Sequence, residues 1–398
     1  MAAGADKPLR IGLIGHGDVT DPTFWSGTPA GLFGGLREAG VTPVPLNARP
    51  PGGPRIAGWL RRPWTFETTN PGMVALSSAR ASAAVRGARP LDGLIQIGSG
   101  YRVRGGPPLA TLDDLTVAQG TELSWSDVST LPRSQADAWK RRQGRIYGDA
   151  VACCVGSRWT EASVRDQYGI DPAKIHIVGF GRNFAPAEVP ERDWSVPRFL
   201  FVGVQWGRKR GPEALAAFAA VRAAHPEATF DVVGEHPPLD QQPGVTAYGR
   251  LSLRDDADRA TLTGLFAKAT CLVLPSNFEA FGIAYLDAGA AGVPSIGTTV
   301  GGAPDAVGPG GVLVDPDDEP GLRAAMLDLC DPERARRLGA AARAHSDLFT
   351  WRKVAERMLR ALLPERAESA RWSGFFDRER TQIGNRTSVS TSDGGPGD

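Results

Sequence analysis

Glu279 and Asp287 stand eight residues apart in a stretch, Leu272 to Ile296, that reads LVLPSNFEAFGIAYLDAGAAGVPSI. The stretch follows Cys271 and opens on an apolar run, Cys271 to Leu274, of the kind a buried strand uses. Pro275 and Ser276 stop that strand. From Phe281 the spacing turns helical, and Gly292 stands where helices commonly end. A helix starting near Phe281 points free backbone N–H groups, and the positive end of its dipole, into the loop before it. Gly282 lets a phosphate come close to that end. Glu279 precedes the helix and faces the same crevice. Asp287 lies roughly 9 Å farther along the axis at about 1.5 Å per residue, about the span from a diphosphate to a ribose. Amides for phosphate, one carboxylate near a sugar and a second near a ribose describe a nucleotide-sugar site.

The elements that must hold these groups are a strand, a loop, a helix and a second strand, which begins at Val293. That unit is half of a parallel, doubly wound sheet. The segment PSNFEAFGIAYLDAGAAGVPSI also resembles the signature of the family-4 retaining glycosyltransferases, P-S-x-x-E-x-F-G-x-x-x-x-E. Ser276, Glu279, Phe281 and Gly282 match it, and Asp287 replaces the second Glu, one methylene shorter. The resemblance implies the GT-B fold: two Rossmann-like α/β domains facing across a cleft, with a C-terminal helix returning to the first domain.

Taken in order, the chain fits that plan. Lys7 to Gly17 reads as a first strand and a glycine turn, with His16 either facing the crevice or, on the favoured reading, a plain loop histidine. A loop through Trp25-Ser26-Gly27-Thr28 precedes a helix from about Pro29 to Glu38. Pro29 and Gly27 leave amides free for an anion there. Leu91 to Ile97 is a strand. In many relatives a histidine near this strand end contacts the transferred sugar; none stands here, and Gln96, Ser99 and Tyr101 are left as stand-ins. Leu112 to Thr116 reads as a short strand, with Asp113 and Asp114 toward the acceptor. Ala136 to Gly148 is a basic helix. The run from Cys153 to Phe184, with S-x-W, Y-G-I and a glycine turn, is similar to the end of the family's first domain.

The expected boundaries are a first, acceptor-binding domain over 1–184, a Pro-marked linker over 185–197, and a donor-binding domain over 198–350. A crossover helix over 351–380 and a Ser/Thr/Gly-rich, disordered tail over 381–398 follow. In the second domain, Arg198 to Gly203 is a strand, followed by Val204 to Gly211 and a helix. Relatives carry a basic pair before a glycine here, and Arg208 and Lys209 occupy those positions. Guanidinium forks onto phosphate oxygens, while ammonium acts as a point charge. By the same resemblance, Arg250 lies over the base or phosphates, and Gly301 and Gly302 belong to a loop that closes over the sugar.

Composition sets outer limits. The chain has 398 residues, room for two domains of ordinary size. Its net charge of +1 gives no general attraction to nucleic acid. No uncharged apolar run reaches the ~18 residues of a membrane span. The segment before the first strand lacks a signal-peptide core, so the cytoplasm is the expected compartment. The four cysteines lack CxxC spacing and read as buried small hydrophobes, and no metal site is expected. Arg61, Arg62 and Trp64 could dock on a membrane surface, but a solvated loop is the favoured reading.

The resemblance implies a retaining, metal-independent transfer of sugar from a nucleotide diphosphate to an unidentified acceptor (small molecule, lipid or glycan). The catalytic residues would be Glu279, Arg208 and Lys209. The donor would be held by Gly203, Arg250, Phe281, Gly282, Ile283 and Asp287. No dedicated nucleophile is visible, which fits a front-face mechanism, and no cofactor is expected. The alternatives are a sugar-nucleotide epimerase of the same fold, a catalytically silent nucleotide-sugar binding protein and a membrane-docked glycolipid enzyme.

Overall fold

The computed structural model describes residues 8–50, 68–184, 191–239 and 242–367. Arg61, Arg62 and Trp64, most of the expected linker and the tail lie outside the described residues.

Short apolar runs build two six-stranded sheets, and all pairings are parallel. The first contains β1 (Arg10–Gly15), β2 (Thr42–Asn47), β3 (Gly93–Ile97), β4 (Leu109–Asp113), β5 (Ala152–Val155) and β6 (Ile175–Ile177). Its order is β2-β1-β3-β4-β5-β6. The second contains β7 (Arg198–Val202), β8 (Thr229–Val233), β9 (Val245–Gly249), β10 (Cys271–Val273), β11 (Ser295–Thr298) and β12 (Gly311–Val314), ordered β12-β11-β10-β7-β8-β9. Helices cover both faces, so the central strands are apolar throughout; Phe199, Leu200, Phe201, Leu272 and Val273 are all fully buried.

The strand order reverses between β1 and β3 in one sheet and between β7 and β10 in the other. Loops leaving two adjacent strands on opposite sides of such a point splay apart and open a crevice. In the second sheet the flanking loops carry Arg208 and Lys209 after β7, and Ser276 to Phe281 after β10. The pairing of Phe199 with Cys271 and Leu200 with Leu272 brings their ends level.

The helix Trp351–Leu362 leaves the second domain and packs on the first. Val354, Ala355, Met358 and Leu359 are fully buried. It lies against the helix Thr28–Glu38 at glycines: a Cβ on Gly31 would fall 2.2 Å from the Trp351 ring, and one on Gly35 2.2 Å from the Trp351 carbonyl. Arg357 donates to the Val178 carbonyl at 3.0 Å. The returning helix implied by the sequence is present.

Several boundaries differ from the sequence expectation. The strand expected over Leu112 to Thr116 runs from Leu109 to Asp113. Thr116 instead caps the helix Val117–Glu122, reciprocally with Gln119. The helix before β10 covers Asp256–Lys268, and it begins there because Asp255 accepts from the amides of Ala257 and Asp258. Helices also form over Pro71–Gly87 and Pro332–Ser346, where the sequence analysis places none. Their faces are largely Ala, Ser and Gly, which give little apolar periodicity.

Candidate active site

The loop after β7 is tightly wound. Lys209 N–H donates to the Gln205 carbonyl at 3.0 Å and Arg210 N–H to that of Gly207 at 3.1 Å. Gln205 and Arg210 take positive φ, +47° and +56°, costly for residues with a Cβ. Glycine permits the neighbouring contact: a Cβ on Gly234, which has φ +121°, would fall 1.7 Å from the Gly203 carbonyl oxygen. The loops after β7 and β8 therefore touch backbone to backbone.

The loop after β10 is tied to it. Asn277 N–H donates to the Arg208 carbonyl at 2.9 Å. Arg208 Nη1 donates to the Phe278 carbonyl at 2.8 Å, and its Nε to Gln205 Oε1 at 2.5 Å. The guanidinium also sits over the Phe278 ring, 5.1 Å from its centroid. Lys209 Nζ forms an ion pair with Glu279 Oε1. The same oxygen accepts from Ser276 Oγ at 2.6 Å and lies 3.9 Å from Arg208 Nη1. Both members of the ion pair are buried. Burial pushes the Glu279 carboxyl up, but Lys209 and then Arg208 outweigh it and hold the group ionised, below its ordinary range. Burial lowers the Lys209 ammonium, with Glu279 opposing.

A third loop closes on Glu279 from behind. Gly302 N–H donates to the Glu279 carbonyl at 2.8 Å, and Glu279 N–H to that of Val300 at 3.3 Å. Gly301 has φ +86°, and a Cβ there would fall 2.1 Å from the Glu279 carbonyl oxygen. This is the glycine pair singled out in the sequence.

The helix after Glu279 starts later than its spacing suggested. It covers Ile283–Ala290, with Gly282 left-handed at φ +96° as its N-cap and no side chain capping its amides. Phe281 is not in the helix. Its ring turns inward, 5.3 Å from Phe180 and 5.9 Å from Phe349. The helix N-terminus still opens on the cleft: Gly282, Ile283 and Ala284 line it.

Asp287 is buried and meets the first domain. Its Oδ1 accepts from the backbone N–H groups of Asn183 at 2.7 Å and Phe184 at 3.0 Å. Burial raises its carboxyl to about 7, against those amides and Arg182. The shorter side chain thus holds the last described turn of the first domain, with an edge still on the cleft. Arg250 is exposed at the cleft mouth and pairs with Glu235 at 2.9 Å.

The cleft between the domains holds about 1060 Å³, the size of a site for a small ligand. Ion pairs also join the two domains: Arg254 with Asp21, and Arg158 with Asp305 at 2.9 Å. The first-domain wall includes Trp25, Thr68, Asp114, Trp125, Asp127 and Trp139. The three stand-ins for the family histidine do not line it. Tyr101 is fully buried and its hydroxyl donates to the Ile14 carbonyl at 2.9 Å. The Gln96 amide donates to the Gly98 and Tyr101 carbonyls at 2.9 and 3.1 Å. Ser99 accepts from Trp139 Nε1 at 3.0 Å. His16 contacts Ser77 Oγ at 3.1 Å, off the cleft. Asp113 is buried against Tyr147 and Gln143, whereas Asp114 reaches the cleft, its carboxyl raised by burial to about 6. Trp125 and Trp139 were not singled out in the sequence, where a tryptophan in a polar segment carries no mark of the wall it will join.

Among the described residues, no three of His, Cys, Asp and Glu are grouped so as to hold a metal ion. No helix among them is long and apolar enough to cross a membrane.

Comparison with known proteins agrees with this architecture. Residues 196–331 match the family described as glycosyl transferases group 1. The glycogen synthase of Mycobacterium tuberculosis (strain ATCC 25618 / H37Rv) is 34% identical over 230 residues, 55% of this chain and 54% of that protein. The D-inositol 3-phosphate glycosyltransferase of Segniliparus rotundus is 30% identical over 238 residues, 54% of this chain and 53% of that one. The chain thus spans about half the length of the curated relatives it matches. Among solved structures, sucrose-phosphate synthase from Thermosynechococcus elongatus superposes with a TM-score of 0.63 at 19% identity, covering 88% of this chain and 97% of that one. A lipopolysaccharide outer core galactosyltransferase does so with a TM-score of 0.63 at 16% identity, covering 90% and 100%. The second domain thus matches the glycosyl transferases group 1 family over residues 196–331, and the two domains together have the GT-B fold.

Proposed function

We propose that the chain is a retaining glycosyltransferase that moves a sugar from a nucleotide-diphosphate sugar to an acceptor held by the first domain. The observation that carries this reading is the meeting of two cations, an ionised buried carboxylate and an uncapped helix N-terminus at the strand-order reversal of the second sheet. In the proposed roles, Arg208, Lys209 and the amides of Gly282 and Ile283 neutralise the diphosphate. Gly203 and Gly234 keep side chains out of its path, and Arg250 borders the base. The cleft-facing edge of Asp287 meets the ribose, and Glu279 accepts from sugar hydroxyls. Phe281 braces the loop from within.

The reaction follows from those roles. The bond from the anomeric carbon to the phosphate oxygen breaks as negative charge builds on the diphosphate. Fixed donors aimed at that charge lower the barrier most. The acceptor oxygen attacks from the same face and gives its proton to the departing phosphate, so configuration is retained without a protein nucleophile. The cations are already in place and held by neutral carbonyls and one carboxylate, so little reorganisation accompanies donor arrival.

Isothermal titration with UDP, GDP and ADP tests the donor half of the reading. One of them is expected to bind the wild type and to lose roughly 100-fold in affinity in Arg208→Ala/Lys209→Ala, at about 1.5–3 kcal/mol per charged hydrogen bond. Undiminished affinity in the double variant contradicts it. The anomeric configuration of the product, read by NMR, tests retention.

A further inference from the structure

We propose that the acceptor is an uncharged carbohydrate whose ring stacks on the tryptophans of the first-domain wall. This rests on the nucleotide-sugar reading above and names the other substrate.

Trp25, Trp125 and Trp139 all line the cleft, and all belong to the first domain. Trp125 is 52% exposed and Trp25 36%, so both keep ring surface open where they line the cleft. Trp125 also reaches toward the second domain: a Cβ on Gly207 would lie 3.7 Å from its ring. One edge of the aromatic wall therefore ends beside the Arg208–Lys209 loop, where the new bond would form. The Trp139 ring and the turn that carries Trp25 are held in place. Trp139 Nε1 is spent on Ser99 Oγ at 3.0 Å. Trp25 stands on left-handed backbone, φ +49°, followed by Ser26 at +55° and Gly27 at +80°. Asn183 Nδ2 donates to the Ser26 carbonyl at 3.1 Å and helps hold that turn.

A pyranose is built for such a wall. One face presents C–H bonds, which meet the electron-rich face of an indole. Its rim presents hydroxyls, which donate to carboxylates. Asp114 and Asp127 supply carboxylates on the same wall. Charge then narrows the class. Among the described residues, the first-domain side of the cleft bears those two acids and no Lys or Arg; Arg208, Lys209 and Arg250 all come from the second domain. A phosphate on the acceptor would face like charge from those two acids.

The test uses the whole protein with the nucleotide sugar it hydrolyses fastest. Acceptors are offered in pairs: glucose with glucose 6-phosphate, mannose with mannose 6-phosphate, and maltotriose alone, with phosphatidylinositol vesicles as a separate arm. A neutral sugar is expected to be used with kcat/KM at least about tenfold above its phosphate. Trp125→Ala is expected to raise the acceptor KM by about tenfold, with Trp125→Phe restoring most of it, while the Kd for the nucleoside diphosphate moves less than about twofold. Preference for the phosphorylated partner, transfer to vesicles only, donor hydrolysis without transfer to any neutral sugar, or an unchanged KM in Trp125→Ala each overturns the proposal. Failure of the wild type to bind any nucleoside diphosphate is a different result, and sinks the donor reading instead.

Discussion

Lys209 and Glu279, 70 residues apart in the chain, form a buried ion pair at the mouth of the second sheet. Two adjacent parallel strands bring them together, and Ser276 and Arg208 complete the cluster. Neither charge has enough water around it to stand alone. Removing one partner therefore leaves the other buried and uncompensated, at a cost of about 3–5 kcal/mol. Glu279→Ala should lower stability by that order as well as abolishing transfer. Glu279→Gln, paired with Lys209→Met, should recover much of the stability and none of the activity. Denaturant unfolding of both single variants and the double variant checks the coupling; additive losses contradict it.

Arg208 is held by neutral groups, the Phe278 carbonyl and Gln205, with Glu279 only at 3.9 Å. Its loss should hurt stability less than that of Lys209 and donor affinity at least as much. Arg208→Ala should cost about 1.5–3 kcal/mol of nucleoside-diphosphate binding, measured by titration calorimetry, with a melting temperature close to the wild type's. Equal destabilisation by Arg208→Ala and Lys209→Ala would count against that distinction.

Asp287 gives a pH signature. Its folded carboxyl is raised to about 7 from an ordinary 3.8. The folded state then holds a proton that the unfolded state has lost, so this group's contribution is complete below 3.8 and declines as pH rises to about 7. Asn at this position keeps an acceptor for the amides of Asn183 and Phe184 but cannot ionise. The stability of Asp287→Asn relative to wild type should therefore rise with pH between about 4 and 7 and level off above. Unfolding curves across that range check it; a difference independent of pH contradicts it.

Gly234 admits no side chain. Its φ is +121°, and a Cβ there would stand 1.7 Å from the Gly203 carbonyl oxygen, so Gly234→Ala must strain the turn or push the β7 loop outward. A loss of about 1–3 kcal/mol in stability is expected, together with weaker nucleotide binding, because the displaced loop carries Arg208 and Lys209. Wild-type affinity in that variant would show that the loop tolerates the shift.

The second domain was legible because parallel strands buried on both faces read as plain apolar runs, and its glycines mark turns that leave little choice of residue. Glu279, Arg208 and Lys209 stand out from that framework. Their pairing does not, since nothing in either segment says that β7 lies beside β10. The start of the helix is misleading in the sequence because Phe281 fits the helical spacing, yet serves as an inward anchor while Gly282 turns the chain. The first-domain wall was the least legible part. Tyr101 and Gln96 looked available, but the core takes both, while Trp125 reaches the cleft from a polar segment with no periodic signal.

The most direct measurement is the structure of this protein with the nucleoside diphosphate that raises its melting temperature most. The account predicts the diphosphate within hydrogen-bonding distance of Arg208, Lys209 and the amides of Gly282 and Ile283, at the open end of the helix Ile283–Ala290. A nucleotide bound elsewhere, with the Lys209–Glu279 cluster empty, would contradict it.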